Sequence, residues 1–70
     1  MRLYRYRIIV AGHLGAAGRA VFEDLSIELD GPNTVLTGEL DQPGLRGVLD
    51  RILDFGLELV ELSRLADVLT

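Results

Sequence analysis

Cysteine is absent from this chain, so no disulfide can brace it and no thiolate can hold a metal. One histidine, His13, leaves a zinc site without its usual donors. Lysine is absent too: all 7 basic residues are arginines, set against 11 acidic ones for a formal charge of −4. General nucleic-acid binding draws most of its affinity from phosphate contacts on a basic surface, which this balance does not supply. Nowhere do the roughly 20 apolar residues of a membrane-spanning helix run together. The opening MRLYRYRIIVAG interleaves arginine with apolar residues, unlike a secretory leader. These absences point to a cytoplasmic protein with no nucleic-acid or membrane partner.

What is there is a chain of 70 residues, 49% of them hydrophobic, enough for a single domain over residues 1–70. A domain this short buries only about 60% of the surface its unfolded chain exposes. Small domains brace themselves with disulfides, a metal or a second subunit. With the first two excluded, a homo-oligomer, dimer or larger, is expected, with no cofactor; an unknown protein partner would serve the same end.

Along the chain, Leu3 to Ala11 reads as a strand, with Tyr4, Tyr6, Ile8 and Val10 on the core face and Leu3, Arg5, Arg7, Ile9 and Ala11 opposite. Leu14, Gly18, Val21, Phe22 and Leu25 recur at helical steps, which predicts a short helix from Gly15 to Glu23. Leu25, Ile27 and Leu29 alternate with polar residues, and Asp30 to Asn33 supplies turn residues. Thr34 to Leu40 then completes a hairpin. Asp41 stands as a helix cap with Pro43 in the first turn, ahead of an apolar face of Leu45, Val48, Leu49, Ile52 and Leu53. Arg46 with Asp50 and Arg51 with Asp54 have the spacing of ion pairs, and Gly56 supplies the stop. A last strand, Leu57 to Leu65, is expected to face inward through Val60 and Leu62 and outward through Leu59, Glu61, Ser63 and Leu65. Residues 66–70 read as a tail, short helix or disorder.

The order βαββαβ gives an α+β, ferredoxin-like fold: a four-stranded antiparallel sheet with two helices on one face and, by right-handed crossovers, strand order 4-1-3-2.

Two resemblances follow from these runs. GHL at Gly12 to Leu14, Phe22, TVLTG at Thr34 to Gly38, DQ at Asp41 and Gln42, and LRGVLDRILDFGLEL at Leu45 to Leu59 together are similar to a family of short uncharacterised bacterial proteins, which implies no activity. Asp41, Pro43, Gly44 and Leu45, followed by Ile52, Leu53, Gly56 and Leu57, resemble the D-x-P-G-L opening of ACT domains. That second resemblance, over residues 41–57, implies a small effector held at a subunit interface.

Two sets of residues are candidates for function. The strand order is expected to place the carboxyl ends of strands one and three side by side, bringing the His13 turn next to the Asp41 turn, so that His13, Asp41 and Gln42 form a ligand-binding site for a small anion or amino acid at two helix N-termini. The open sheet face is expected to carry Leu3, Arg5, Arg7, Ile9, Val35, Thr37, Glu39, Leu59, Glu61 and Leu65. Its apolar members call for a covering partner, and Arg5 or Arg7 can pair with Glu39 and Glu61. The interface candidates are therefore Leu3, Arg5, Arg7, Ile9, Val35, Leu59, Glu61 and Leu65. No nucleophile and base stand within predicted reach, so no catalytic residue and no metal ligand is nominated. Three readings result: a homo-oligomeric interaction or accessory module without chemistry, an ACT-like small-ligand sensor, or a small cofactor-free enzyme of the dimeric ferredoxin-like kind.

Overall fold

The computed structural model describes residues 2–67, with side chains for residues 2–65. The elements are β1 (Tyr4–Ala11), α1 (Ala16–Val21), β2 (Ser26–Asp30), β3 (Asn33–Leu40), α2 (Gln42–Asp54) and β4 (Leu59–Asp67). They form a four-stranded antiparallel sheet in the order β2-β3-β1-β4, with two helices.

The alternation in β1 sets the inner face. Tyr6, Ile8 and Val10 are buried in one cluster with Leu36 of β3, Leu14 and Phe22 flanking α1, and Leu45, Val48 and Ile52 of α2. One apolar layer thus holds both helices against the same side of the sheet. Phe22, Ile8, Leu36, Ile52, Val10 and Val48 are the largest fully buried apolar side chains among the described residues.

Helix α1 is six residues long, shorter than Gly15 to Glu23. Its last amide bond is Phe22 N to Gly18 O, and Leu25 N then turns back to Phe22 O. With no side-chain cap at Gly15, α1 is held by packing and by one tether from its neighbour. Arg51 of α2 donates to Val21 O at 3.1 Å and pairs with Asp24 at 3.2 Å. The expected Arg51–Asp54 pair is thereby replaced by a contact that joins the helices.

The β2–β3 hairpin closes on a two-residue turn, Gly31 and Pro32, with Asp30 paired to Asn33. Gly31 has φ +58, the left-handed first position of a tight hairpin turn. At this end of the sheet, buried Thr34 donates its hydroxyl to Gly12 O at 2.7 Å, tying the hairpin to the β1–α1 turn.

Strand β4 departs most from expectation. It starts at Leu59 and runs through Ala66 and Asp67, taking in two residues read as tail; residues 68–70 lie outside those described. Its register against β1 shifts twice, between the partners of Arg5 and Tyr6 and between those of Ile9 and Val10. Leu62 stands opposite Ile8, as its inward assignment requires, but Leu59 stands opposite Val10. Directly paired residues share a face. Leu59 therefore belongs to the helix side, and Val60 occupies the irregular step between it and Glu61.

Candidate functional site

The D-x-P-G run at the start of α2 is explained by capping. Asp41 Oδ1 accepts from Gly44 N at 2.7 Å, and Leu45 N bonds to Asp41 O at 2.9 Å. A Cβ on residue 44 would come within 2.9 Å of that same carboxylate oxygen, so glycine leaves room for the cap. Pro43, in the first turn, loses no bond by lacking an amide hydrogen. Gln42, Pro43 and Arg46, all exposed, line a shallow hollow beside it. Asp41→Ala should therefore lower stability by about 1 kcal/mol, measured by urea denaturation, whereas Gln42→Ala should leave the midpoint unchanged.

His13 is likewise occupied structurally. Its Nε2 donates to Gly31 O at 2.8 Å, a second tie between the β1–α1 turn and the hairpin.

The structure does not bring His13 to Asp41 and Gln42. β1 pairs antiparallel with both β3 and β4, and β2 pairs antiparallel with β3. It follows that β1 and β3 run in opposite directions, and Tyr4 pairs with Leu40 while Ala11 pairs with Asn33. Asp41, after Leu40, lies at the Tyr4 end, and His13 lies beyond Ala11. The length of the intervening strand separates them by roughly 25 Å. The expected shared pocket is therefore not formed.

The open face also differs in character. Ile9 and Val35 oppose each other across the central strands, with Glu61 and Glu28 flanking them in the same row. At 8% and 6% exposure they are already covered by their own chain. Arg5 pairs with Glu39 at 3.0 Å, and Glu61 accepts from the Ser63 hydroxyl at 2.8 Å. Leu3 and Arg7 are half-buried, with Arg7 set between Thr37 and Ser63. Polar and charged side chains predominate among the described residues of this face, and its central apolar pair is sealed in.

The apolar surface lies instead at one edge. Seven large apolar side chains are exposed among the described residues, and six of them fall between residues 53 and 65: Leu53, Phe55, Leu59, Val60, Leu62 and Leu65. Exposures run from 40% for Leu62 to 71% for Leu53. The sequence places Leu53 on the core face of α2, but that face centres on Leu45, Val48 and Ile52. Residues on either side of Ile52 turn away by about 100° in opposite directions. Arg51 takes the flank against α1, so Leu53 takes the other, and the connection from α2 to the edge strand β4 places that flank on the β4 side.

Leu53, Phe55, Val60 and Leu62 were not among the interface candidates. The signal that could have found them is the strand order itself, since an edge strand has no outer neighbour and its inward residues lie at the rim. Tyr4 shows what partial cover looks like here: the Arg64 guanidinium sits 4.2 Å from its ring centre, and Tyr6 meets it edge-on at 6.4 Å. Both rings belong to the helix side, leaving no tyrosine on the open face.

Among the described residues no group of histidine and carboxylate side chains is arranged to hold a metal ion, and no helix is long and apolar enough to cross a membrane. Neither curated proteins nor solved structures include a significant match to this chain. One family model does match, over residues 5–63, from β1 into β4. That span includes both helices, the hairpin and most of the apolar edge, and on it the chain belongs to the family described as Domain of unknown function (DUF8691).

Proposed function

We propose that this protein is a small homo-oligomeric interaction or accessory module of the cytoplasm, contributing surface rather than chemistry, built on a ferredoxin-like fold. The βαββαβ order supports the fold assignment, as does the strand order, which reads 4-1-3-2 from the β4 edge.

The observation that carries the functional reading is the concentration of exposed apolar side chains at the end of α2 and along β4. A loosely packed chain would also expose apolar residues, but the total surface argues against that explanation. The folded chain exposes 4402 Å². A compact monomer of its mass is expected to expose about 4,300 Å². The surface is ordinary in amount and unusual in where its large apolar residues gather, which is the mark of a contact surface. A second copy is the occupant that a short domain without disulfides most needs. The commonest such pairing is isologous, with one patch meeting itself.

The sensor reading needs His13 beside Asp41 and Gln42, and no observation favours it once these stand at opposite ends of the sheet.

Light scattering should report a dimer or larger at micromolar concentration. Leu59→Arg removes on the order of 1 kcal/mol of leucine burial from each copy and leaves a cation to desolvate, so the dissociation constant should rise by roughly a hundredfold. A wild-type protein that stays monomeric at hundreds of micromolar would overturn the proposal.

A further inference from the structure

The two edges of the sheet are unlike. β2 is five residues long, carries Glu28 and Asp30, and is thereby protected in the ways that edge strands commonly are. β4 is nine residues long, contains neither proline nor lysine, and displays Leu59, Val60, Leu62 and Leu65. Its two register shifts bracket a regular stretch, Glu61 to Arg64. Outside that stretch the irregular steps discourage indiscriminate pairing; inside it the outer backbone groups lie in a row with no strand beside them.

We propose that β4 pairs antiparallel with β4 of a second copy about a two-fold axis at Leu62, extending the sheet across the dimer. This rests on the homo-oligomeric reading and adds to it a surface and a register. An axis perpendicular to a continuous sheet must pass through a residue facing its own copy, which leaves four choices in the regular stretch. Centring on Glu61 sets two carboxylates against each other, and centring on Arg64 sets two guanidiniums together, both unfavourable. Centring on Ser63 opposes Leu62 to Arg64 and Glu61 to Leu65, matching an apolar to a charged residue at both steps out from the axis. Centring on Leu62 opposes leucine to leucine on the helix side and Glu61 to Ser63 on the open side, twice by symmetry. Glu61 and Ser63 already form a hydrogen bond within one chain, so their chemistry suits the pairing. The next step out sets Val60 of one copy near Arg64 of the other, at the irregular residue where the regular stretch ends, and Leu59 and Leu65 lie beyond it.

The native chain contains no cysteine, so single cysteines can report the register without background. Leu62→Cys should give a disulfide-linked dimer with oxidised glutathione, because directly opposed strand residues have suitable Cα separations. Glu61→Cys alone should not. Leu29→Cys, on the far edge, should link only by collision. Linkage of the Leu62→Cys protein should be on the order of a hundredfold faster, reflecting a local concentration far above the micromolar bulk. The double variant Glu61→Cys with Ser63→Cys should also link, and it tests the same register without altering Leu62. Light scattering of the wild type separates the outcomes. A wild-type dimer in which neither Leu62→Cys nor the double variant links overturns the register while the oligomeric reading stands, and a wild-type monomer overturns both.

Discussion

Phe22→Ala should abolish cooperative folding, or come close to it. Phe22 has no exposed surface and lies where α1, α2 and the sheet meet, within the cluster that includes Ile8, Leu36 and Ile52. Truncating a buried phenylalanine costs about 3–5 kcal/mol through lost burial and the cavity left behind. A domain of 70 residues has only roughly 3.5–10 kcal/mol in total to lose. The melting temperature should therefore fall by at least about 12 °C, read by circular dichroism at 222 nm, if a transition survives. The chain contains one other phenylalanine, Phe55, which is exposed at the end of α2. Phe55→Ala should change stability by less than about 1 kcal/mol in the monomer. Equal effects from the two would mean that the core is not centred where the structure places it.

Gly38→Val should also be damaging, and its cause is steric. Gly38 stands opposite Tyr6 on the inner face of β3, and a Cβ added there would overlap Leu25 Cδ2. Leu25 is itself buried, and by reaching across the bare glycine it seals the β2 side of the core. Overpacking of this kind costs about 1–3 kcal/mol. Valine's better fit to a strand offsets less than about 1 kcal/mol of it. The diagnostic measurement is a double-mutant cycle by urea denaturation. Leu25→Ala alone should be costly, but combined with Gly38→Val it should leave space for the new side chain, with a coupling of at least about 1 kcal/mol. Strictly additive losses would remove the steric explanation.

The parts of the fold legible in the sequence are those fixed by short-range chemistry. Helix α2 announces itself through Asp41, Pro43 and Gly56, and the structure places the cap, the first-turn proline and a left-handed residue with φ +77 at those positions. The face of β1 is legible because its alternation is strong, and the Arg5–Glu39 pair follows from it. What the sequence hides is set by distant partners. The irregular steps in β4 depend on pairing with β1, from Tyr4 with Asp67 to Val10 with Leu59, and no residue near Val60 or Leu65 advertises them. The exposure of Leu53 and Leu62 depends on how far α2 reaches over the rim, a matter of packing geometry. The separation of His13 from Asp41 was open to reasoning. It requires following strand direction as well as strand order, since neighbouring antiparallel strands present opposite ends to the same side.

The placement of β1 has a consequence for how the domain comes into being. This strand is made before the other three yet lies in the interior of the sheet, and every strand residue it bonds to is made later, Asn33 at the earliest and Asp67 at the latest. Only the hairpin of β2 and β3 can close from freshly made neighbours; the pairing of β1 must wait until 63 residues beyond Tyr4, through Asp67, have been made. Such long-range closure is slow relative to local pairing. During synthesis, the strand with the most buried residues therefore waits longest for its cover, and the last of the four strands to be made, β4, completes its pairing.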